Sequence, residues 1–240
     1  MYEKRVYRET VSADGLVPFT VVVKETDLYI LADKDLSRPA LELVLTHRHQ
    51  LENYISRYPD FAKSLKPVPA APGAPETAML MAWAAGAAGV GPMAAVAGAF
   101  AELVGAGLQG RSAEVIVENG GDIFIKSLRP RTVALHAGDS PLSGRVGIRV
   151  RPEDTPLGVC TSSGKVGPSL SLGVAHAACV VAKSAALADA AATAVGNAVK
   201  AEGEVGKALD VAKSIPGVLG AVVISGEKLG AWGQIELVRL

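Results

Sequence analysis

Residues 187–194 read Leu187-Ala188-Asp189-Ala190-Ala191-Ala192-Thr193-Ala194 and place one carboxylate among small apolar side chains. The stretch lies in a helix predicted over 184–200, and its composition indicates that this helix is packed on most sides. Asp189 and Thr193 are four residues apart and therefore share one helix face. A buried carboxylate needs a partner or a cation, and a carboxylate with a hydroxyl suits Mg²⁺. We predict a metal site at Asp189 and Thr193; the alternative is an ion pair of Asp189 with Lys183 or Lys200.

The pattern around this helix predicts grouped helices and many short strands. Further helices are expected from Ser37 and over 76–88, 92–104 and 205–214, with glycines at 105 and 107 ending the third. Because the helices do not alternate strictly with strands, the predicted fold class is α+β. The predicted strands cover 5–10, 19–24, 28–32, 115–118, 123–126, 133–136, 146–150, 158–161, 177–182, 218–225, 229–232 and 235–238.

The length of 240 residues suits one domain over 1–240. Five prolines fall within 58–75, so an N-terminal layer over 1–66, joined by a proline-rich connector over 67–75, is an alternative division. The two cysteines, Cys160 and Cys179, have apolar or small neighbours and are expected to be reduced and buried.

The composition argues against several classes of partner. Lys plus Arg equals Asp plus Glu at 24 each, and aromatic residues make up 5%, so we expect no nucleic-acid partner. The N-terminus has no apolar signal core, which favours a cytoplasmic protein. Residues 77–101 carry no charge, but they are rich in Ala and Gly. We therefore expect two buried helices there rather than a membrane span.

Two glycine-bearing segments are candidates for binding a ligand. Asn119-Gly120-Gly121-Asp122 lies between two predicted strands, where adjacent glycines let a ligand approach the backbone amides. The alternative is an ordinary hairpin turn, since Asn-Gly is a strong turn signal. The segment 89–94 places Gly91 at a helix start, where free N–H groups hold phosphate in other proteins. A plain helix start is the simpler interpretation of Gly91.

A third segment, Cys160-Thr161-Ser162-Ser163-Gly164, ends a predicted strand in three hydroxyls and a glycine. Such a loop donates several hydrogen bonds to phosphate or ribose oxygens, so its last four residues are binding candidates. Cys160 is interpreted as structural rather than as a nucleophile. His176 is a candidate general base, and a satisfied strand histidine is the alternative. His47 and His49 are expected to be solvated.

In chain order, these segments resemble the motif series of the ApbE superfamily, whose best-known members are FAD:protein FMN transferases. The likeness is closer to an uncharacterised archaeal and bacterial ApbE-like family and spans about 16–200. The segments that carry it are 89–98, 115–122, 156–164 and 187–197.

The resemblance implies an ApbE-like fold of mixed or antiparallel sheets with packed Ala-rich helices. In the flavin transferases the Asp and Thr of the A-D-x-x-x-T helix bind Mg²⁺ beside the FAD pyrophosphate, which points to Asp189 and Thr193. The turn and the loop line the flavin nucleotide site, and Asp122 is also a catalytic candidate. The matching positions are Gly120, Gly121, Asp122, Thr161, Ser162 and Gly164.

The chain also departs from the transferase pattern. A His-x-x-Asp-Pro segment follows the loop in transferases, whereas this chain reads Pro168-Ser169-Leu170-Ser171-Leu172-Gly173. The first functional hypothesis is an ApbE-like protein that binds Mg²⁺ and FAD or a related nucleotide diphosphate and acts as a transferase or hydrolase. The second is a non-catalytic binding or assembly protein, such as a homo-oligomer, that retains the fold.

Overall fold

The computed structural model describes residues 15–164 and 173–240. The strand predicted over 5–10 and the departure at 168–172 lie outside the described residues. The helices are α1 (Ser37–Arg57), α2 (Asp60–Lys63), α3 (Glu76–Ala88), α4 (Val96–Leu108), α5 (Ala185–Ala198) and α6 (Val205–Ser214). The strands are β1 (Val17–Val23), β2 (Thr26–Ala32), β3 (Val115–Asn119), β4 (Asp122–Lys126), β5 (Arg131–Ala134), β6 (Val146–Val150), β7 (Leu157–Ser162), β8 (Ala177–Ala182), β9 (Val218–Ser225), β10 (Lys228–Gly233) and β11 (Glu236–Arg239).

Two antiparallel sheets form the framework, and the predicted α+β class is confirmed. The large sheet has the order β1-β2-β3-β4-β7-β8-β9-β10, and the small sheet has the order β11-β6-β5. Strand β2 pairs with β3, so the large sheet continues across the proline-rich connector. Helices cover one face of the large sheet, and the small sheet covers the other face.

Because side chains point alternately to the two faces of a strand, the large sheet has one hydrophobic core on each face. Val117 and Phe124 point to the helices, whereas Ile116 and Ile125 point to the small sheet. A third core lies within the helical layer, where Phe61 of α2 and Met81 of α3 are fully buried. The uncharged stretch over 77–101 contributes to this third core, as expected from its small side chains.

The described residues contain no single helix that is both long and apolar enough to cross a membrane. Helix α3 and the segment 92–108 pass such a test only as a pair, and they are bent by 103° at the break between them.

The helix predicted over 92–104 differs from the observed one at both ends. It begins as a 3-10 turn over Pro92–Ala95, and α4 continues to Leu108 through both glycines that were expected to stop it. These glycines serve close packing instead. A Cβ on Gly105 would lie 2.2 Å from the Phe124 ring, and one on Gly107 would lie 2.8 Å from Leu43.

Helix α5 is held between α4 and the large sheet by two glycines. A Cβ on Gly98 of α4 would lie 2.2 Å from the Ala185 carbonyl oxygen. A Cβ on Gly158 of β7 would lie 2.3 Å from the Ala185 Cα. Because both facing positions lack a side chain, the backbone of α5 approaches both neighbours directly, which brings the middle of α5 next to the start of α4.

Candidate functional site

The turn between β3 and β4 forms one side of the candidate site. Asn119 pairs with Asp122, so Gly120 and Gly121 make a two-residue hairpin with φ of 72° and 104°. The hairpin alternative is therefore confirmed as a description of the backbone. A Cβ on Gly120 would meet nothing within 4 Å, so the turn is open on that side.

The end of β7 lies beside this turn, since the Thr161 N–H donates to the Gly121 carbonyl at 3.3 Å. Strand alternation separates the two hydroxyls that follow. The Thr161 side chain hydrogen-bonds to the Cys179 thiol, whose side chain belongs to the core against the small sheet. Ser162 lies on the helix side, with its Oγ 3.6 Å from where a Cβ on Gly196 of α5 would be.

The remaining loop candidates have packing roles in the structure. Gly164 donates its N–H to the Ala175 carbonyl at 3.0 Å, and a Cβ there would lie 2.2 Å from the Gly173 oxygen. Ser163 is partly exposed and has an interaction partner. A Cβ on Gly91 would lie 1.9 Å from the Ser64 carbonyl oxygen, so close backbone packing explains that glycine without a ligand.

Asp189 is buried, and its partner is the first turn of α4. Its Oδ2 accepts the Gly98 N–H at 2.8 Å, and the Ala97 N–H also bonds to this carboxyl. Helix α4 has no side-chain cap of its own at Ala95, so Asp189 supplies the missing cap. The ion-pair alternative with Lys183 is wrong, because the Lys183 ammonium donates to the Asp154 carbonyl at 2.6 Å.

A second buried carboxyl, Asp122, lies near Asp189. Burial raises the pKa of Asp122 well above its usual range, and the charge of Asp189 raises it further. Burial also raises the pKa of Asp189 to about 7, against the opposing effect of the Gly98 and Ala97 amides. Two neighbouring carboxyls away from water cannot both ionise without a large cost. The pair therefore holds a proton or calls for a cation.

The oxygen donors of this pair fit Mg²⁺ in one specific way. Among residues 15–164 and 173–240, no group of three His, Cys, Asp or Glu side chains is arranged to hold a metal ion. Mg²⁺, however, is commonly bound through one or two carboxylates together with substrate phosphates and water. Asp122 and Asp189 suit that arrangement, and the partly exposed Thr193 lies one helical turn beyond Asp189.

His176 is engaged through both ring nitrogens. Its Nδ1 accepts the Gly226 N–H at 3.0 Å, so the ring proton of the neutral form is on Nε2, which lies 3.1 Å from Asp139 Oδ1. This arrangement matches the alternative of a satisfied histidine. His49 is exposed as expected, but the expectation for His47 is wrong. His47 is buried and hydrogen-bonds to Thr77, because α3 covers that face of α1.

The cysteines are free and buried, as expected. The Cys160 thiol donates to the Ala185 carbonyl at 3.3 Å, and burial raises its pKa well above its usual range. A thiol that remains protonated is a poor nucleophile, which supports the structural interpretation of Cys160.

The sequence interpretation missed the partners of Asp189, namely Ala97 and Gly98. One signal was available: the start of α4 reads Ala95-Val96-Ala97-Gly98 and has no Ser, Thr, Asp or Asn to cap it. A buried helix start without a local cap implies a cap from elsewhere in the chain. Two clefts, one lined by Pro39 and Arg111 and the other by Val22 and Leu41, lie beside α1 rather than at Asp189.

Comparison with known proteins identifies the family of this chain and the solved structures that share its fold. The family described as AbpE bacteria matches residues 8–228. A UPF0280 protein of Methanopyrus kandleri is 46% identical over 223 residues, which cover 89% of this chain and 89% of that protein. A UPF0280 protein of Methanocella arvoryzae is 40% identical over 219 residues, which cover 90% of this chain and 89% of that protein.

Two solved structures of flavin transferases have a similar fold. The apo form of the Pseudomonas stutzeri flavinyl transferase ApbE aligns with a TM-score of 0.59 and 17% identity, covering 91% of this chain and 94% of that chain. The flavin transferase ApbE of Vibrio cholerae aligns with a TM-score of 0.51 and 14% identity, covering 91% of this chain and 97% of that chain. At these identities the likeness establishes the fold alone.

Proposed function

The chain belongs to the AbpE bacteria family, and from that premise we propose that it binds Mg²⁺ and a flavin or nucleotide diphosphate beside Asp122 and Asp189. The observation that carries the proposal is the proximity of these two buried carboxyls, both of which have raised pKa values. Two carboxylates buried side by side ionise together only when a positive charge lies beside them. Asp189 and Thr193 are the proposed metal ligands from the chain, and the phosphates complete the coordination.

The open β3–β4 turn supports a role in holding the ligand. Gly120 has free space on its outer side, and Gly121 lies beside the end of β7. On the helix side of the sheet, Ser162 offers a hydroxyl near α5. Because Thr161 is bonded to Cys179 on the other side, we propose Ser162 rather than Thr161 as the side chain that contacts the phosphates.

The proposed reaction is transfer of FMN from FAD to a protein hydroxyl. The hydroxyl oxygen forms a bond to the flavin-side phosphorus, the bond from that phosphorus to the bridging oxygen breaks, and AMP leaves with that oxygen. Bound Mg²⁺ would neutralise the charge that develops on the leaving phosphate. Asp122, ionised when a cation offsets the charge of the pair, is the proposed acceptor of the hydroxyl proton, since both nitrogens of His176 already have partners.

AMP release tests this proposal directly. The full chain, incubated with FAD and Mg²⁺, should release AMP, and an Asp189→Ala variant should lose at least ~100-fold of that rate, the scale of removing a key charge-stabilising group. Asp210→Ala is the matched control, because Asp210 is an exposed helical carboxylate that pairs with Lys213. Equal release by the wild type and Asp189→Ala would remove Asp189 from the mechanism.

A second function is a binding or assembly protein without catalysis. The observation that favours it is the sequence 168–173, where transferases carry His-x-x-Asp-Pro and this chain carries neither His nor Asp. In that case Mg²⁺ with ADP or FAD should raise the melting temperature, because a bound ligand stabilises the folded state, while no AMP forms. An unchanged melting temperature would contradict ligand binding in both functions.

A further inference from the structure

One peptide group links the candidate site to the large sheet. The Ala97 carbonyl accepts a hydrogen bond from Asn119 Nδ2 at 3.1 Å, and the N–H of the same peptide, on Gly98, donates to Asp189 Oδ2 at 2.8 Å. A peptide group is planar and rigid, so its carbonyl and its N–H cannot turn independently. Rotation of this peptide about its neighbouring bonds would disturb both hydrogen bonds together.

From this arrangement we propose that Asn119 is a positioning residue for Asp189. Asn119 fixes the peptide between Ala97 and Gly98, and the N–H of that peptide holds Oδ2 and thereby the orientation of the Asp189 carboxyl that would bind the cation. The inference rests on the proposed Mg²⁺ site and extends it to a residue whose own side chain is bonded to the backbone of α4 rather than offered to the ligand.

The surroundings explain why water does not replace Asn119. Asn119 and Asp189 are each only 9% exposed, and hydrogen bonds are stronger where water is scarce. The Ala97 carbonyl also lies in the first turn of α4, where it accepts the usual helical hydrogen bond from four residues ahead. Loss of the Asn119 side chain would thus leave the helix intact but allow the peptide plane between Ala97 and Gly98 to tilt.

The sheet gives Asn119 a fixed position. It is the last residue of β3, it pairs with Leu28 of β2 on one side, and it pairs with Asp122 of β4 on the other. Asn119 and Asp122 therefore lie at one hairpin end and project to the helical face. Since the same hairpin holds both residues, the bond from Asn119 to Ala97 connects the end of the hairpin that carries Asp122 to the helix start that Asp189 caps.

The full chain is titrated with Mg²⁺, alone and in the presence of ADP, and binding is measured by isothermal calorimetry and by the change in melting temperature. Asn119→Ala should weaken Mg²⁺ binding by at least ~10-fold, the usual effect of removing a group that orients a metal ligand. Asn119→Gln retains an amide donor and should recover part of the affinity. Hydrogen exchange of the Gly98 amide should be faster in Asn119→Ala than in the wild type.

Glu102→Gln is the matched control. Glu102 of α4 caps the start of α5 by accepting the Ala186 N–H at 3.1 Å, whereas the Asp189 carboxyl accepts the Gly98 N–H at the start of α4. It should lower the melting temperature and leave the Mg²⁺ affinity unchanged. Wild-type Mg²⁺ affinity in Asn119→Ala would overturn the positioning role alone. A wild type that binds no Mg²⁺, with or without ADP, would overturn the metal site and the positioning role with it.

Discussion

The starts of α4 and α5 are capped in the same way but lie in different surroundings. Asp189 of α5 accepts from the Gly98 N–H at the start of α4, and Glu102 of α4 accepts from the Ala186 N–H and the Ser184 hydroxyl at the start of α5. The two helices thus cap each other. Only Asp189 is close to a second buried carboxyl, Asp122.

This difference distinguishes the two caps: the Glu102 cap has a structural role, and the Asp189 cap is also part of the proposed site. Glu102 is half-buried next to the Ser184 hydroxyl, and capping accounts for the hydrogen bonds that its carboxylate accepts. Asp189 also caps a helix, yet burial raises its pKa to about 7, and its charge in turn raises the pKa of the neighbouring Asp122. A cap alone does not suggest a ligand site, whereas a cap beside a second buried acid supports the site proposed above.

The largest effect is expected from Gly98→Ala, which would force the two caps apart. The new Cβ would lie 2.2 Å from the Ala185 carbonyl and 2.7 Å from the Asp189 Cβ, so the free energy of unfolding should fall by about 3 kcal/mol. Urea denaturation measures this change. Gly86→Ala is the control, since a Cβ on Gly86 meets nothing within 4 Å and should stabilise helix α3 by about 0.5–1 kcal/mol. Equal stability of the two variants would show that α4 and α5 are not in this close contact.

The pH dependence of stability should distinguish the Asp189 cap from the Glu102 cap. The Asp189 pKa is 3.8 when unfolded and about 7 when folded, so the unfolded chain loses its proton first as pH rises. Stability from this group is therefore complete below pH 4 and is lost as pH rises from about 4 to about 7. Asp189→Asn should flatten this slope in metal-free buffer, as followed by denaturation at several pH values.

Glu102→Gln serves as the reference for this measurement, because it changes the other cap and leaves the acid pair in place. Its slope between pH 4 and 7 should match that of the wild type. A slope that is equally steep in Asp189→Asn would mean that Asp189 is ionised in the folded chain without cost.

The smallest effect is expected from the Glu102 cap itself. Glu102→Ala removes the acceptor for the Ala186 N–H, while the Ser184 hydroxyl still accepts the Leu187 N–H. Because one local cap remains, the free energy of unfolding should fall by about 1 kcal/mol, which urea denaturation can resolve. A loss as large as that of Gly98→Ala would show that Ser184 does not cap α5 independently.

Several elements follow from the local pattern. Helices α3 and α6 and strands β6, β8 and β9 have the predicted bounds, because turn residues and hydrophobic periodicity act over a few positions. The family resemblance, which rested on short motifs in order, is also confirmed. The predicted end of α4 was wrong because Gly105 and Gly107 make room for Phe124 and Leu43, which lie far away in sequence.

The sequence by itself determined the α+β class, the bounds of some elements such as α3, α6, β6, β8 and β9, and the polar residues that are candidates for a site. Only the tertiary structure decided what each polar group bonds to: Asp189 to the start of α4, Thr161 to Cys179, and His176 to Gly226. The physical reason is that a helix or a turn depends on neighbours within a few residues. The partner of a buried polar group depends on which strands pair and which helices cross, and no local pattern encodes that.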